Sequence, residues 1–359
     1  MNTAPDLAPG GTGGTDGAQA PGEWLALHVF YAANPQPLLT ECVGPLVREL
    51  TEQNLLSGHF FINYWLEGPH VRLRLRPRTP ADTPAVRAAA EAAVARFLKA
   101  RPALYAMGFG FLGELYDILF ALEYPQGKPA ELVDADGRMR LQPNNSFSYR
   151  PYEPEYGKYG GPQGVAVAEW HFQHSSDLVI GAISSMNLHL RPVLLGTAAQ
   201  LMTVLAGTFL PDRAALLDFL DEYHRFWHRA FTGTDLIGSD EYARMYDGVA
   251  DELGRRVRLI LDLLAGGQAQ RLPGLLRGWA GHAAELKGKV LELAASGRLV
   301  ISTWRGGEKT ITDGGEALAT LLSPYLHMTN NRLHVTIRDE AYLSYLLARV
   351  LREQPAVAR

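Results

Sequence analysis

The hydrophobic period of this chain is mostly that of strands in its first third and almost wholly helical after Pro162, and that order constrains the fold more than any single motif. Between Trp24 and Arg76 three segments alternate or run in short apolar blocks between turn signals, which is the pattern of strands. Trp24-Leu-Ala-Leu-His-Val-Phe-Tyr31 reads as a strand that stops at Asn34-Pro35. His59 to Trp65 and His70 to Arg76 read as two more, joined as a hairpin through Glu67-Gly68-Pro69. Leu39, Cys42, Val43, Leu46, Val47 and Leu50 keep helical spacing over residues 38–55, and an Ala-rich helix follows over 83–101 with Pro84 in its first turn. Beyond Pro162 helical spacing dominates, over 163–186, 192–209, 211–231, 239–266, 270–297 and 339–353, with a short hairpin at 299–312. Strands first and helices after predict an α+β fold: an antiparallel sheet formed largely by the N-terminal third, covered by a mostly helical C-terminal two thirds. The expected boundaries are a disordered Gly-, Ala- and Pro-rich tail over 1–22 and a single domain over 23–355.

Composition excludes several classes. A chain of 359 residues buries about three quarters of its unfolded surface and needs no structural metal or disulfide. The lone cysteine, Cys42, cannot close an internal bridge; its apolar setting reads as a buried, inert thiol, and a reducing, cytoplasmic location is expected. A net charge of −4 argues against direct nucleic-acid binding. No stretch is expected to reach the ~18 apolar residues of a membrane span. No cofactor and no metal are expected: Gly108-Phe-Gly110 lacks the Lys-Ser/Thr of a phosphate loop, and His224 and His228, four apart on a helix, lack a third ligand and read as packing.

Two segments carry chemistry. Alternation puts His70, Arg72, Arg74 and Arg76 on one face of a strand and Val71, Leu73 and Leu75 on the other. Neighbours on one face lie roughly 7 Å apart, so the guanidinium groups repel one another unless an anion compensates. The same pattern also fits a solvent-facing strand whose arginines pair with acids on other elements. The second segment, 149–161, lies in a long Pro-, Gly-, Tyr- and Asn-rich connection over 124–162, of a length that tends to be functional. It offers Tyr152, Tyr156 and Tyr159 as contact residues and Lys158 as a cation, and Gly160-Gly161 permits positive φ and close approach of a ligand. Taken by itself, the segment reads more simply as a packed loop capping the next helix. His171 and His174, just beyond, share a helix face with Glu169 and Asp177 nearby.

Three motifs together are specific. Phe60-Phe-Ile-Asn-Tyr-Trp-Leu-Glu-Gly-Pro-His-Val-Arg-Leu-Arg-Leu75, then Tyr152-Glu-Pro-Glu-Tyr-Gly-Lys-Tyr-Gly-Gly161 with Ala168-Glu-Trp-His-Phe-Gln-His-Ser-Ser176, then Leu326-His-Met-Thr-Asn-Asn-Arg-Leu333, resemble the C-terminal elimination domain of lantibiotic dehydratases, in the stand-alone form of thiopeptide-type pathways. The resemblance spans residues 24 to 353. It implies a ribosomally made precursor peptide as substrate and a separate, tRNA-dependent glutamylating dehydratase as partner. The implied reaction is β-elimination of glutamate from glutamylated Ser or Thr, giving dehydroalanine or dehydrobutyrine. Arg72, Arg74 and Lys158 would then neutralise developing negative charge, and His327 would move protons. His70, Arg76, Tyr152, Tyr156, Tyr159, Gly160, Gly161, His171, Asn331 and Arg332 are the expected substrate-binding residues.

The middle motif departs from the family, which carries arginines where this chain has Pro154 and Lys158. Lysine keeps the charge and loses the bidentate fork. Pyridine synthases of thiopeptide pathways resemble the same domain and join two dehydroalanines in a formal [4+2] aza-cycloaddition, expelling water and the leader peptide, so this reaction stands as an alternative. A catalytically silent subunit that binds the leader, with strand 24–31 accepting it at a sheet edge, is a third.

Overall fold

The computed structural model describes residues 21–104, 116–121, 123–124, 126–230, 246–303 and 306–353. Most of the expected tail, Gly108-Phe-Gly110, the start of the expected 239–266 helix and two residues (304–305) of the turn of the 299–312 hairpin fall outside them.

The fold is α+β. Strands β1 (Leu25–Phe30), β2 (Leu56–Tyr64), β3 (His70–Pro77) and β4 (Ser146–Arg150) form one antiparallel sheet in the order β2-β3-β1-β4. β4 comes from the Pro- and Gly-rich connection, where five residues between Asn144-Asn145 and Pro151 are too short to register against the turn signals around them. β1 is an inner strand with β3 on one side and β4 on the other, so the expectation that 24–31 accepts a peptide at an edge is corrected: both its hydrogen-bonding edges are occupied. β2 lies at the edge, and its outward amides are capped by side chains. Phe61 N–H donates to Ser176 Oγ (3.2 Å), His59 N–H to Gln173 Oε1 (3.3 Å) and Asn63 N–H to Asn331 Oδ1 (2.9 Å). Those caps satisfy donors that would otherwise invite another strand.

The longer helices of the described fold are α1 (Gly44–Glu52), α2 (Thr83–Ala100), α3 (Gly161–Ser185), α4 (Arg191–Phe209), α5 (Arg213–Ala230), α6 (Ala250–Ala265), α7 (Gly274–Ala295), α8 (Gly314–Arg332) and α9 (Ile337–Glu353), together with the hairpin β5 (Leu299–Ser302) and β6 (Glu308–Ile311). α8 escapes a reading of sequence because Gly314-Gly315 and an internal Pro324 look like breaks. The Asp313 side chain caps its start by accepting from the Glu316 amide (2.7 Å). α4 corrects the membrane-span expectation: by length and apolarity it would suffice to cross a membrane, because it is the central helix, two thirds buried by α6, α7, α8 and α9.

The sheet has two different faces. Leu27, Val29, Val71, Leu73 and Leu75 point towards α2 and join the main core, where Tyr31 meets Phe97 edge-on at 5.5 Å. Antiparallel register places His28 beside Arg72 and Phe60 beside Arg74 on the opposite face. Cys42 is buried in the core, which pushes its thiol up to about 11 and keeps it protonated.

Candidate functional site

A cavity of about 2110 Å³ opens on the arginine face of the sheet. Arg72, Arg74 and His28 floor it, the 150–159 segment forms one wall, and α8 with the start of α9 forms another. Of the residues expected to act, Arg72, Arg74, Lys158 and His327 all line it, as do Tyr152, Tyr159 and Asn331. Arg72 and His327, 255 positions apart in the chain, therefore share one cavity.

Its cations are of two kinds. Arg150 pairs with Glu67 (3.5 Å), Lys158 with Glu155 (3.2 Å), and Arg191 with Asp339. Arg72 and Arg74 have no carboxylate partner among the described residues. Arg72 stacks on the Tyr64 ring and donates from Nε to His70 Nε2 (3.3 Å). Arg74 is buried with Nε and Nη1 unpartnered, and burial, reinforced by the Arg72 charge, lowers its pKa to about 10. A desolvated guanidinium without a partner, as Arg74 is, is costly, and with Arg72 beside it, held by uncharged groups alone, the floor is prepared for negative charge.

Two histidines hold this floor, and reading the sequence singled out only one of them. His70 does not line the cavity; its Nδ1 donates to Gly68 O (2.8 Å) and its Nε2 receives Arg72. Burial and the neighbouring arginines lower its pKa to about 3. His28 stacks on it at 5.0 Å, with both ring nitrogens buried and unpartnered, and burial followed by the Arg74 charge brings its pKa down to about 2. Both rings are neutral beside the arginines. Period-two alternation does show His28 on the Ala26/Phe30 face, but only strand pairing shows that this is the arginine face.

His327, on α8, is tied through Nδ1 to Glu340 Oε1 at 2.9 Å and packs against Trp227. Glu340, on α9, is fully buried and also accepts from the Tyr223 hydroxyl. Nothing in the sequence marks Glu340, since the two helices carrying the pair meet only in the fold.

The remaining expected residues serve mainly the frame. Arg76 is away from the cavity, donating to Gly22 O (3.3 Å) beside Trp24. Tyr152 faces the cavity with its ring while its hydroxyl donates to Glu169 (2.7 Å). Asn331 spends its amide on Asn63, accepting from its N–H and donating to its carbonyl (2.7 Å). Tyr156 is half exposed outside the lining, and Gly160 and Gly161, both at positive φ, also lie outside it. A Cβ on Gly160 would stand 2.1 Å from Leu299 Cδ1, so the glycine permits close packing on β5. His171 and Arg332 lie behind the wall, fully buried. His171 bonds His282 (2.9 Å) and Thr329, while Arg332 donates to Ser176 Oγ (3.1 Å) and Met328 O (2.7 Å). Neither is placed to touch a peptide directly. Among the described residues no group of three or more potential ligands is placed to hold a metal.

Solved structures that share the fold include two that cover most of the chain. A pyridine synthase, TbtD, from thiomuracin biosynthesis superposes with a TM-score of 0.68 at 20% identity, covering 92% of this chain and 98% of that one. TsrL superposes with a TM-score of 0.62 at 17% identity, covering 92% and 95%. No curated protein is similar to the chain in sequence. The family model described as lantibiotic biosynthesis dehydratase C-term matches residues 24–351, and the chain belongs to that family.

Proposed function

We propose that this protein tailors a ribosomally made precursor peptide by pyridine-forming cycloaddition of two dehydroalanines. The observation that carries the proposal is a roomy cavity in which an Arg72–Arg74 floor without a paired carboxylate among the described residues and a carboxylate-held His327 share one lining. Its volume exceeds the roughly 300–1,000 Å³ of ordinary small-molecule sites, which suits a looped peptide bringing two distant residues together. Similarity in fold to a pyridine synthase over nearly the whole of both chains supports the same reading.

In this reaction the amide preceding one dehydroalanine shifts its proton from nitrogen to oxygen and becomes a 2-azadiene. Two carbon–carbon bonds then form, one between the β-carbons of the dehydroalanines and one from the iminol carbon to the second α-carbon. Loss of water and of the leader as its carboxamide leaves the aromatic pyridine, with no oxidant required. Arg72 and Arg74 stabilise charge on the amide oxygen. His327 moves protons between nitrogen, oxygen and the leaving groups. Tyr152 and Tyr159 give the peptide a rigid wall. The precursor peptide is the partner, and the reaction belongs in the cytoplasm, where that peptide is made.

Elimination of glutamate is the second reading, favoured by the unpaired arginines, which suit a departing carboxylate. It would need a separate glutamylating dehydratase as partner. Lys158 weighs against it, since it lacks the bidentate fork with which an arginine would hold that carboxylate. Mass spectrometry separates the two. Conversion of an azole-bearing, doubly dehydrated peptide to a macrocycle plus free leader amide supports cycloaddition. Glutamate release from a glutamylated peptide, without cyclisation of the first substrate, supports elimination. Peptide binding without either mass change sinks both.

A further inference from the structure

His327 is held by a buried acid whose placement is specific. Glu340 has each carboxylate oxygen engaged by one donor, Oε1 by His327 Nδ1 at 2.9 Å and Oε2 by the Tyr223 hydroxyl. Its neighbour Asp339 is used differently, receiving Arg191 and the Thr336 hydroxyl (2.9 Å). Two adjacent acids at the start of α9 thus have separate tasks. Glu340 is fully buried with both oxygens occupied, so it is not placed to take a proton from a substrate itself. The His327 side chain keeps a quarter of its surface exposed, and its Nε2 has no protein partner among the described residues.

We propose that Glu340 is a positioning residue that fixes His327 in the Nδ1–H tautomer, leaving the Nε2 lone pair to the cavity, with Tyr223 anchoring the carboxylate. The inference rests on the reading of His327 as the group that moves protons. In the proposed step Nε2 takes a proton from the peptide while Nδ1–H stays on Glu340. The carboxylate offsets the positive charge the ring has gained, and Nε2 later returns the proton to the departing group. The opposite tautomer would present a donor where an acceptor is needed, and an unanchored ring would sample both. Tyr223 adds a second constraint, because its hydroxyl prevents the carboxylate from rotating away from the histidine.

The test uses the full chain labelled with ¹⁵N-histidine. Long-range ¹H–¹⁵N spectra, with the His327 signals assigned by their loss in His327→Gln, report which nitrogen carries the proton. The expected wild-type result is a protonated Nδ1 and a bare Nε2, with the preference lost in Glu340→Gln. Turnover of the dehydroalanine peptide should fall about 10–100-fold in kcat in that variant, with KM and peptide affinity unchanged. Tyr223→Phe, which keeps the ring in the core, should lose less turnover and weaken the tautomer preference, so the proposal survives if Glu340→Gln does not fold. A wild-type ring protonated on Nε2, or a folded Glu340→Gln with wild-type tautomer and kcat, overturns it. Undiminished turnover in His327→Gln would instead remove His327 from the reaction, while the tautomer measurement still judges the Glu340 contact on its own.

Discussion

The Arg72 guanidinium lies 3.3 Å from the centre of the Tyr64 ring, and the Tyr64 hydroxyl donates to Glu123. The ring face carries partial negative charge, with the Glu123 carboxylate beyond it, and it fixes the plane of the cation. A cation–π contact in a desolvated site contributes about 2 kcal/mol. Tyr64→Leu should therefore lower kcat/KM on the peptide substrate by roughly 10–100-fold. Tyr64→Phe keeps the face and should stay within a few-fold of wild type. Equal activity in both variants would remove Tyr64 as the support of Arg72.

Arg74 should show a trade between stability and activity. Its buried Nε and Nη1 have no partners, so replacing it with an apolar side chain of similar length removes an uncompensated charge. Arg74→Met is expected to be neutral or to stabilise the fold by about 1–4 kcal/mol while abolishing turnover. Denaturant unfolding beside a mass-spectrometric assay measures both. Strong destabilisation would mean that the guanidinium has a structural partner after all.

Acid sensitivity follows from the buried imidazoles. Burial, with the nearby cations, takes His28 to about 2, and His70 and His282 to about 3, all below the unfolded value of about 6.5. The unfolded chain then binds protons that the folded chain refuses. These groups cost nothing above about pH 6.5, and stability falls as pH drops below it, by up to about 1.4 kcal/mol per pH unit for each histidine. Between pH 6 and pH 5, His28→Leu should reduce the slope of unfolding free energy against pH by nearly one proton. An unchanged slope would show that His28 titrates normally.

Glycine substitutions should have opposite signs at two sites. Gly160→Ala forces a Cβ into Leu299 at a φ of +94 and should cost about 1–3 kcal/mol. Gly181, inside α3, has open space around a built Cβ, and Gly181→Ala should stabilise by about 0.5–1 kcal/mol. Thermal unfolding of the two variants checks the pair, and stabilisation at Gly160 would contradict the packing of the Tyr-Gly-Lys-Tyr turn on β5.

Much of this protein was legible in its sequence, and the boundary has a physical cause. Period-two spacing put Arg72 and Arg74 on one face because side chains of a strand alternate whatever surrounds them. Helical spacing beyond Pro162 marked the cover of the sheet, and the order of three motifs marked the family. Local periodicity carries no information about which strands pair or what covers a face. Solvent-facing arginines with acidic partners were therefore the simpler reading of the ladder, and only the fold turns Arg72 and Arg74 into a cavity with no carboxylate paired to either among the described residues. Antiparallel register brought His28 beside Arg72, β4 closed the second edge of β1, and α9 carried Glu340 to His327. Each of those relations joins residues through packing between elements, and so only the tertiary structure decided it.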